Sequence, residues 1–433
     1  MTGTIQGLHD VTHRNPTQIP AEGAVGNPLL SLPAELLNKI TRYVMKGDTQ
    51  EQAVANAIRW GQVSILPYTV THASRIASVI EIIKHQKHQQ HQQHLNTALV
   101  LLWDYCHSHN FHIPQITTAK NIRKWMRDSN HAHILNTFYE LNLANYTSGD
   151  QLRVIPPEIT TFHKLHTLNF YNNKITQINS QILGKCPVLQ FLTLSKNRIA
   201  QIGPKAFAGC AALKILDLNE NLITQIGPQT FADCPGLEIL YLKNNQITQI
   251  SPEAFTGSNL KGLFLNGNQI THIGLETFII CPTLEVLSLY NNQIKQILSH
   301  AFTGCPALKM LYLRDNQIVQ LYPETFARCT ALRTLDLTKN KIVKICSHAF
   351  AGCLALSELD LSFNQIIEIG PYACANCTSL RELSLNYNQI TQIGPEVFPG
   401  CTALRKLALV GNGITQIDSQ ISANCPNLQV IDV

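Results

Sequence analysis

The sequence predicts an α/β solenoid: a curved parallel sheet built from short stacked repeats, preceded by a small all-α N-terminal domain. Three observations carry this expectation. Asparagines fall at 173, 197, 221, 245, 268, 292, 316, 340, 364, 388 and 412, spaced by 24 residues except for one step of 23, Asn245 to Asn268. Around each of them a phrase such as Leu213-Lys-Ile-Leu-Asp-Leu-Asn-Glu-Asn221-Leu-Ile-Thr-Gln-Ile226 recurs in register. Self-similarity at such a period marks units that cannot bury their own apolar face and share one continuous core by stacking. Upstream of about residue 139 the repeat stops, and apolar residues fall at helical spacing instead.

Composition narrows the function classes. Of the 433 residues, 45% are hydrophobic and only 14% charged, below the roughly 25% charged of an average globular chain. Such a chain can bury a large core and is not disordered overall. A net charge of +5 is mild for this length and argues against a dedicated nucleic-acid binder. The longest apolar cluster, Ala98–Trp103, is far short of the roughly 18 residues that cross a bilayer. Met1–Asp10 lacks a basic stretch followed by an apolar one, so no secretory leader is expected there.

Residues 1–27, rich in Thr, Gly, Asn, Gln and Pro without periodicity, read as a disordered leader. Residues 28–66 turn helical. The run Leu32-Pro33-Ala-Glu35-Leu36-Leu37-Asn-Lys-Ile40 places Pro33 where a first-turn proline is tolerated, and a second helix follows the Gly47-Asp48 break as far as about Trp60. Residues 67–138 read as a helical linker or N-terminal cap, with helices over Ala73–Ile83, Leu95–Cys106 and Thr118–Met126. Thr117 or Thr118 is a candidate N-cap for the third helix. His85, His88, His91 and His94 step by three residues, so on a helix they drift around the axis and cannot converge on one ion. A solvated polar helix or loop is expected, and no metal site.

Residues 139–433 are the repeats. Glu140-Leu141-Asn142-Leu143 reads as a first, irregular strand, and Leu428–Val433 as a strand that opens a twelfth repeat without a legible polar cap. Within a repeat, leucines such as Leu216 and Leu218 point to one side of a short strand. The asparagine suits a bond to the backbone of the turn that follows, so the column should form a ladder. Ile223 and Ile226 fill the interior after the turn. Phe207, Phe231, Phe255, Phe278, Phe302, Phe326, Phe350 and Phe398 sit ten residues after their asparagines and should form an aromatic spine. Ten of the thirteen cysteines (186, 210, 234, 281, 305, 329, 353, 377, 401 and 425) share one repeat position. That regularity gives no reason for disulfide pairing, so reduced core thiols and a reducing compartment are expected. Cys374 stands where other repeats carry the spine phenylalanine and reads as a packing substitution. The 23-residue repeat lacks its cysteine; its deletion precedes the strand and should affect curvature more than the inner face.

The pattern LxxLxLxxNxIxxIxxxxFxxC resembles the leucine-rich repeat family. That resemblance implies a curved scaffold that recognises other proteins. Leu32, Pro33, Glu35, Leu36, Leu37 and Ile40, with Ile58-Arg59-Trp60 at the close, resemble an F-box, although Trp60 lies one residue beyond the usual spacing. The F-box resemblance implies that Leu32, Pro33, Leu36, Leu37, Ile40 and Trp60 meet a Skp-type adaptor of a cullin ubiquitin ligase. Asn121-Ile-Arg-Lys-Trp125-Met and the Val-Ile-Pro-Pro-Glu-Ile segment resemble the entry to repeats in leucine-rich proteins of intracellular bacteria. A bacterial effector acting in a host cytosol and a eukaryotic F-box protein both fit, as does a scaffold in which residues 29–138 only cap the repeats.

The sequence carries no phosphate loop, GxSxG or HExxH, so neither an enzyme nor a cofactor is expected. Binding is expected on the inner face, set by the positions six, four and two before each asparagine. Tyr171, Phe191, Ile215, Ile239, Tyr241, Phe264, Val286, Tyr290, Met310 and Tyr312 make it apolar and aromatic in the first half. Thr334, Asp336, Glu358, Asp360, Glu382 and Lys406 make it polar and largely acidic in the second. Exposed aromatics with methionine are typical of protein interfaces. A flanking column, Lys214, Lys261, Lys309, Arg333, Arg381 and Arg405, interrupted by Glu238 and Glu285, forms a basic stripe along one rim.

Overall fold

A computed structural model describes residues 71–110, 112–145, 151–274, 277–326 and 329–432. The chain divides into two compact units, Met1–His94 and Leu95–Val433. The F-box-like stretch, Leu32 to Trp60, lies outside the described residues, as does the leader.

The two separate helices expected over Ala73–Ile83 and Leu95–Cys106 are one helix, Thr71–His109. The polar run between them contains no glycine or proline to break it, and its Gln and Lys residues are good helix formers. In the first unit, residues 85–93 of this helix are all exposed. In the second unit its continuation buries Ala98, Leu99, Leu102, Trp103 and Cys106, spaced as one helical face. Trp103 meets Trp125 edge to face at 5.0 Å and donates its indole N–H to the Pro114 carbonyl at 3.0 Å. Trp125 lies on the helix Ala119–Met126, whose N-cap position is Thr118; the Thr118 side chain makes no capping bond. Arg123 of that helix donates to Glu158 at 2.7 Å and so ties the cap to the first turn of the repeats.

The solenoid rests on a 13-stranded sheet whose strands follow chain order from Glu140–Asn142 to Val430–Asp432. All neighbours are parallel, and equivalent repeat positions stand opposite each other: Leu216 beside Leu240, Leu311 beside Leu335. Each strand is three residues long, with its central residue buried in all but the last. Identical apolar columns therefore stack into one core that runs the length of the unit.

The asparagine ladder is present and more widely bonded than its sequence position suggested. Asn221 donates Nδ2 to the carbonyls of Leu218 at 3.1 Å and of Leu194, one coil back, at 2.9 Å; its Oδ1 accepts from the Ile199 N–H at 3.0 Å. The turn it serves thus follows the preceding repeat's asparagine, not its own. The pattern recurs at Asn245, Asn292, Asn316, Asn340, Asn364 and Asn388, all buried. The residue just before each asparagine takes a left-handed conformation even where its side chain is large, as at Lys196, Glu220, Phe363 and Tyr387. An inter-coil bond holds that turn from Asn172 to Tyr387, such as Glu220 N–H to the Lys243 carbonyl at 2.8 Å.

The phenylalanine spine forms in two runs. Rings stack at 5.8 and 5.9 Å from Phe207 to Phe255, then at 5.6 to 6.3 Å from Phe278 to Phe350. The runs meet at the 23-residue repeat. Two-residue strands on the outer side also stop there: Gln225–Ile226 pairs with Gln249–Ile250, and His272–Ile273 pairs with Gln296–Ile297. A cavity of about 350 Å³ lined by Ile226, Ile250, Ile273 and Phe278 occupies the joint. The inner strands keep register across it, Leu240 beside Leu263 beside Leu287. The missing residue is therefore absorbed on the outer side alone.

The cysteine column is buried, and its thiols do more than fill space. Cys234 Sγ donates to the Phe207 carbonyl 27 residues earlier at 3.2 Å; Cys305, Cys353 and Cys377 do the same to Phe278, Phe326 and Phe350. Cys401 donates to Cys374, which holds the spine position there. A small apolar residue with one weak donor fits that slot and gives most of these carbonyls a second bond beside the backbone N–H three residues on, such as Cys210 N–H to Phe207 at 3.0 Å. Burial pushes the thiols of Cys210, Cys281, Cys329 and Cys377 up to about 12.

Candidate functional site

The inner face is built from three outward columns per strand, because successive side chains alternate between core and surface. Neighbouring strands lie roughly 4.8 Å apart, so residues of one column on consecutive repeats touch. Tyr241 and Phe264 are direct neighbours, and their rings stack at 4.8 Å and 22°. Two strands on, Tyr312 donates its hydroxyl to Met310 Sδ at 3.5 Å. Arg314 lies over the Tyr290 ring at 5.5 Å and pairs with Asp315 at 3.2 Å.

These groups enclose a depression of about 520 Å³ lined by Tyr241, Phe264, Tyr290 and Tyr312 together with Asn219, Lys243, Asn266, Ser288, Arg314 and Asp336. Its floor is polar: buried Ser288 donates to buried Asn266 at 3.3 Å. The four rings are half-buried; Tyr241 and Phe264 cover one face of each other, and Arg314 covers one face of Tyr290. An aromatic wall over a hydrogen-bonding floor suits one apolar side chain of a partner plus backbone groups beside it.

Four of the ten inner-face residues singled out from the sequence thus converge. The other six do not line the depression. Tyr171 carries Lys196 over its ring at 5.2 Å. Phe191 (40% exposed) and Met310 (38%) stand out from the face, while Ile215, Ile239 and Val286 are half-buried between neighbouring strands. Lys243 and Arg314 were missed, although they occupy the position two before the asparagine, in the same column as Tyr290.

The basic rim stripe is partly neutralised. Lys261 pairs with Glu238 at 3.1 Å and Lys309 with Glu285 at 2.8 Å; the bond from Lys309 holds the Glu285 carboxyl below its usual range. Of the cysteines outside the column, Cys346 is only half-buried and accepts from Gln320 at 3.1 Å.

Comparison with known proteins agrees with this architecture. A chain of the Toll–Spatzle complex of Drosophila is 20% identical, with a TM-score of 0.55 over 65% of this chain and 42% of that one. A chain of the octameric complex of Latrophilin 3, Unc5D and FLRT2, in which FLRT2 supplies the leucine-rich repeats, is 23% identical, with a TM-score of 0.52 over 63% and 82%. An internalin from Listeria monocytogenes is 24% identical over 72% and 94%, with a TM-score of 0.47. At such identities the likeness is one of fold. No curated protein sequence matches the chain. The family described as "BspA type Leucine rich repeat region (6 copies)" matches residues 134–261, 200–333, 248–366 and 295–429, together most of the chain and nearly all of the solenoid. On its sequence and its stacked parallel coils, the chain belongs to the BspA-type leucine-rich repeat family.

Proposed function

We propose that the protein is a non-enzymatic recognition scaffold that holds a protein partner on its inner face, with the aromatic depression as the anchor point. The observation that carries this is the convergence of Tyr241, Phe264, Tyr290 and Tyr312 on one rigid, partly desolvated concavity. Tyrosines held so lose little entropy on binding and are enriched at interface hot spots. The complexes named above, in which leucine-rich repeats meet other proteins, support the reading by analogy.

The test places the photocrosslinker benzoylphenylalanine at Tyr290, or at exposed Glu324 on the outer side, and irradiates the full chain in lysate. Adducts at position 290 that disappear in a Tyr241→Ser/Tyr312→Ser background are expected. The same adducts from position 324, or adducts at 290 indifferent to the two serines, would overturn the proposal.

The F-box-like stretch extends the proposal: Leu32, Pro33, Leu36, Leu37, Ile40 and Trp60 engage a Skp-type adaptor and bring the captured partner to a ubiquitin ligase. What supports this is the sequence match and the placement of the repeat unit downstream, from Leu95 onward. Purified adaptor is expected to retain the wild type and to lose Leu36→Asp/Ile40→Asp, with circular dichroism showing both folded. A folded wild type that is not retained refutes the extension and leaves the scaffold reading intact. The thirteen free thiols support a reducing compartment, the cytosol, as the site of action.

A further inference from the structure

Resting on that reading, we infer the chemistry of the partner: an extended segment with an aromatic or large apolar side chain in the depression and a Lys or Arg about three residues along. Charge on the inner face carries the inference. The four strands that supply the rings present no carboxylate at their outward positions, only Lys243 and Arg314 as charges; on one flank a single carboxylate, Asp217, stands beside Tyr241, and on the other Asp336, which lines the depression, opens a run of three. The next two strands present Asp336, Glu358 and Asp360 and no cation. Tyr312, Asp336 and Asp360 stand side by side in register on consecutive strands.

At roughly 4.8 Å per strand, Asp360 lies about 10 Å from Tyr312, which an extended segment covers in about three residues. None of these carboxylates has an ion-pair partner among the described residues, including the rim cations Arg333 and Arg381. Asp336 and Asp360 each use one oxygen to accept the N–H two residues on, from Thr338 and Ser362 at 3.0 and 2.9 Å. The second oxygen is left for a ligand. Glu382 is excluded because Lys406 stands beside it in register. The chain as a whole carries +5, so bulk attraction does not favour a cationic ligand, and any preference for one must be local.

The test uses the full chain and three labelled peptides read by fluorescence anisotropy: Gly-Ser-Phe-Ser-Ser-Arg-Arg-Ser-Gly, its Phe-to-Ala form and its double Arg-to-Glu form. Asp336→Asn/Asp360→Asn should fold normally, because Asn169 in the same column already makes the equivalent bond to the Tyr171 N–H at 2.9 Å. The parent peptide is expected to bind the wild type, more weakly as salt rises, and the Glu form at least tenfold more weakly. In the double variant that difference should shrink to less than threefold. Binding that needs the phenylalanine but is indifferent to Arg or Glu overturns the charge inference and leaves the depression as anchor. Binding of no peptide at millimolar protein, or a charge preference unchanged by the double variant, also overturns it.

Discussion

Asn316→Ala is expected to lower the folding free energy by about 3–5 kcal/mol, read as a drop in the urea midpoint. Asn316 is buried and joins two coils: its Nδ2 reaches the carbonyls of Leu313 at 2.9 Å and Leu289 at 3.0 Å, and its Oδ1 takes the Ile294 N–H at 3.0 Å. Alanine leaves the buried Ile294 N–H without a partner and takes one of two side-chain donors from each carbonyl, which Asn340 and Asn292 still reach at 3.0 and 2.9 Å. The orphaned N–H costs about 1–3 kcal/mol and each lost bond about 0.5–1.5 kcal/mol, and the loss is not local, because the partners belong to two repeats. Asn316→Asp should be no better, since a carboxylate cannot donate to the two carbonyls. A loss under about 1 kcal/mol for the alanine variant would mean that the ladder is incidental to a stack held by its leucines.

The second large effect is alkaline unfolding. Burial holds the thiols of Cys210, Cys281, Cys329 and Cys377 at about 12, whereas an unfolded thiol titrates near 8.5. Between those limits the unfolded chain has released protons that the native chain still binds, so stability falls as pH rises. The thiol contribution is complete below about pH 8.5 and is lost progressively toward pH 12. Each fully shifted thiol removes about 1.4 kcal/mol per pH unit, and four together remove several, a large fraction of the 5–15 kcal/mol of a typical domain. Tm should therefore drop steeply above pH 9. Cys281→Ala/Cys329→Ala, less stable at neutral pH, should show a shallower slope. An unchanged slope would assign the alkaline loss to the lysine–carboxylate pairs instead.

The repeat architecture was open to reading because its requirements recur, the asparagine eleven times, the column cysteine ten and the spine phenylalanine eight. The 24-residue spacing of the asparagines, the leucine columns and the position of the phenylalanines all follow from a coil that must match its neighbour. The direction of the asparagine bonds was not legible, since a spacing does not say which coil supplies the partner. Nor was the donor role of Cys234 or Cys305, because composition treats a buried thiol as a small hydrophobe. For the site, the sequence supplied columns but not side-chain reach. It placed Tyr241, Phe264, Tyr290 and Tyr312 on one face, yet could not separate them from Phe191 or Val286, which stay outside the depression. Lys243 and Arg314 share the columns of the first half, where only the apolar and aromatic members stood out. The pairing of Lys261 with Glu238 depends on a neighbouring coil and thins the basic stripe. The single helix Thr71–His109 replaces two expected ones because the polar run between them, legible only as a helix or a loop, holds nothing that stops a helix.

The joint at the 23-residue repeat has a consequence for how the molecule comes apart. In a linear array, cooperativity is the sum of couplings between adjacent units, and the weakest coupling sets where the array divides. At this joint the outer strand pairing and the ring stack both lapse, leaving to transmit order the inner strands, the turn bond from Asn244 N–H to the Asn266 carbonyl, the Asn268 bonds to the Leu242 carbonyl and the Ile247 N–H, at 3.0 Å each, and the Gln269 N–H to the Ile247 carbonyl at 2.9 Å. Heat or denaturant should then melt the solenoid as two blocks rather than one, with the boundary near residues 250–272. The depression straddles that boundary: Tyr241 comes from the leading block, Tyr290 and Tyr312 from the trailing one. A ligand held by all three would act as a clasp, making the two blocks melt together.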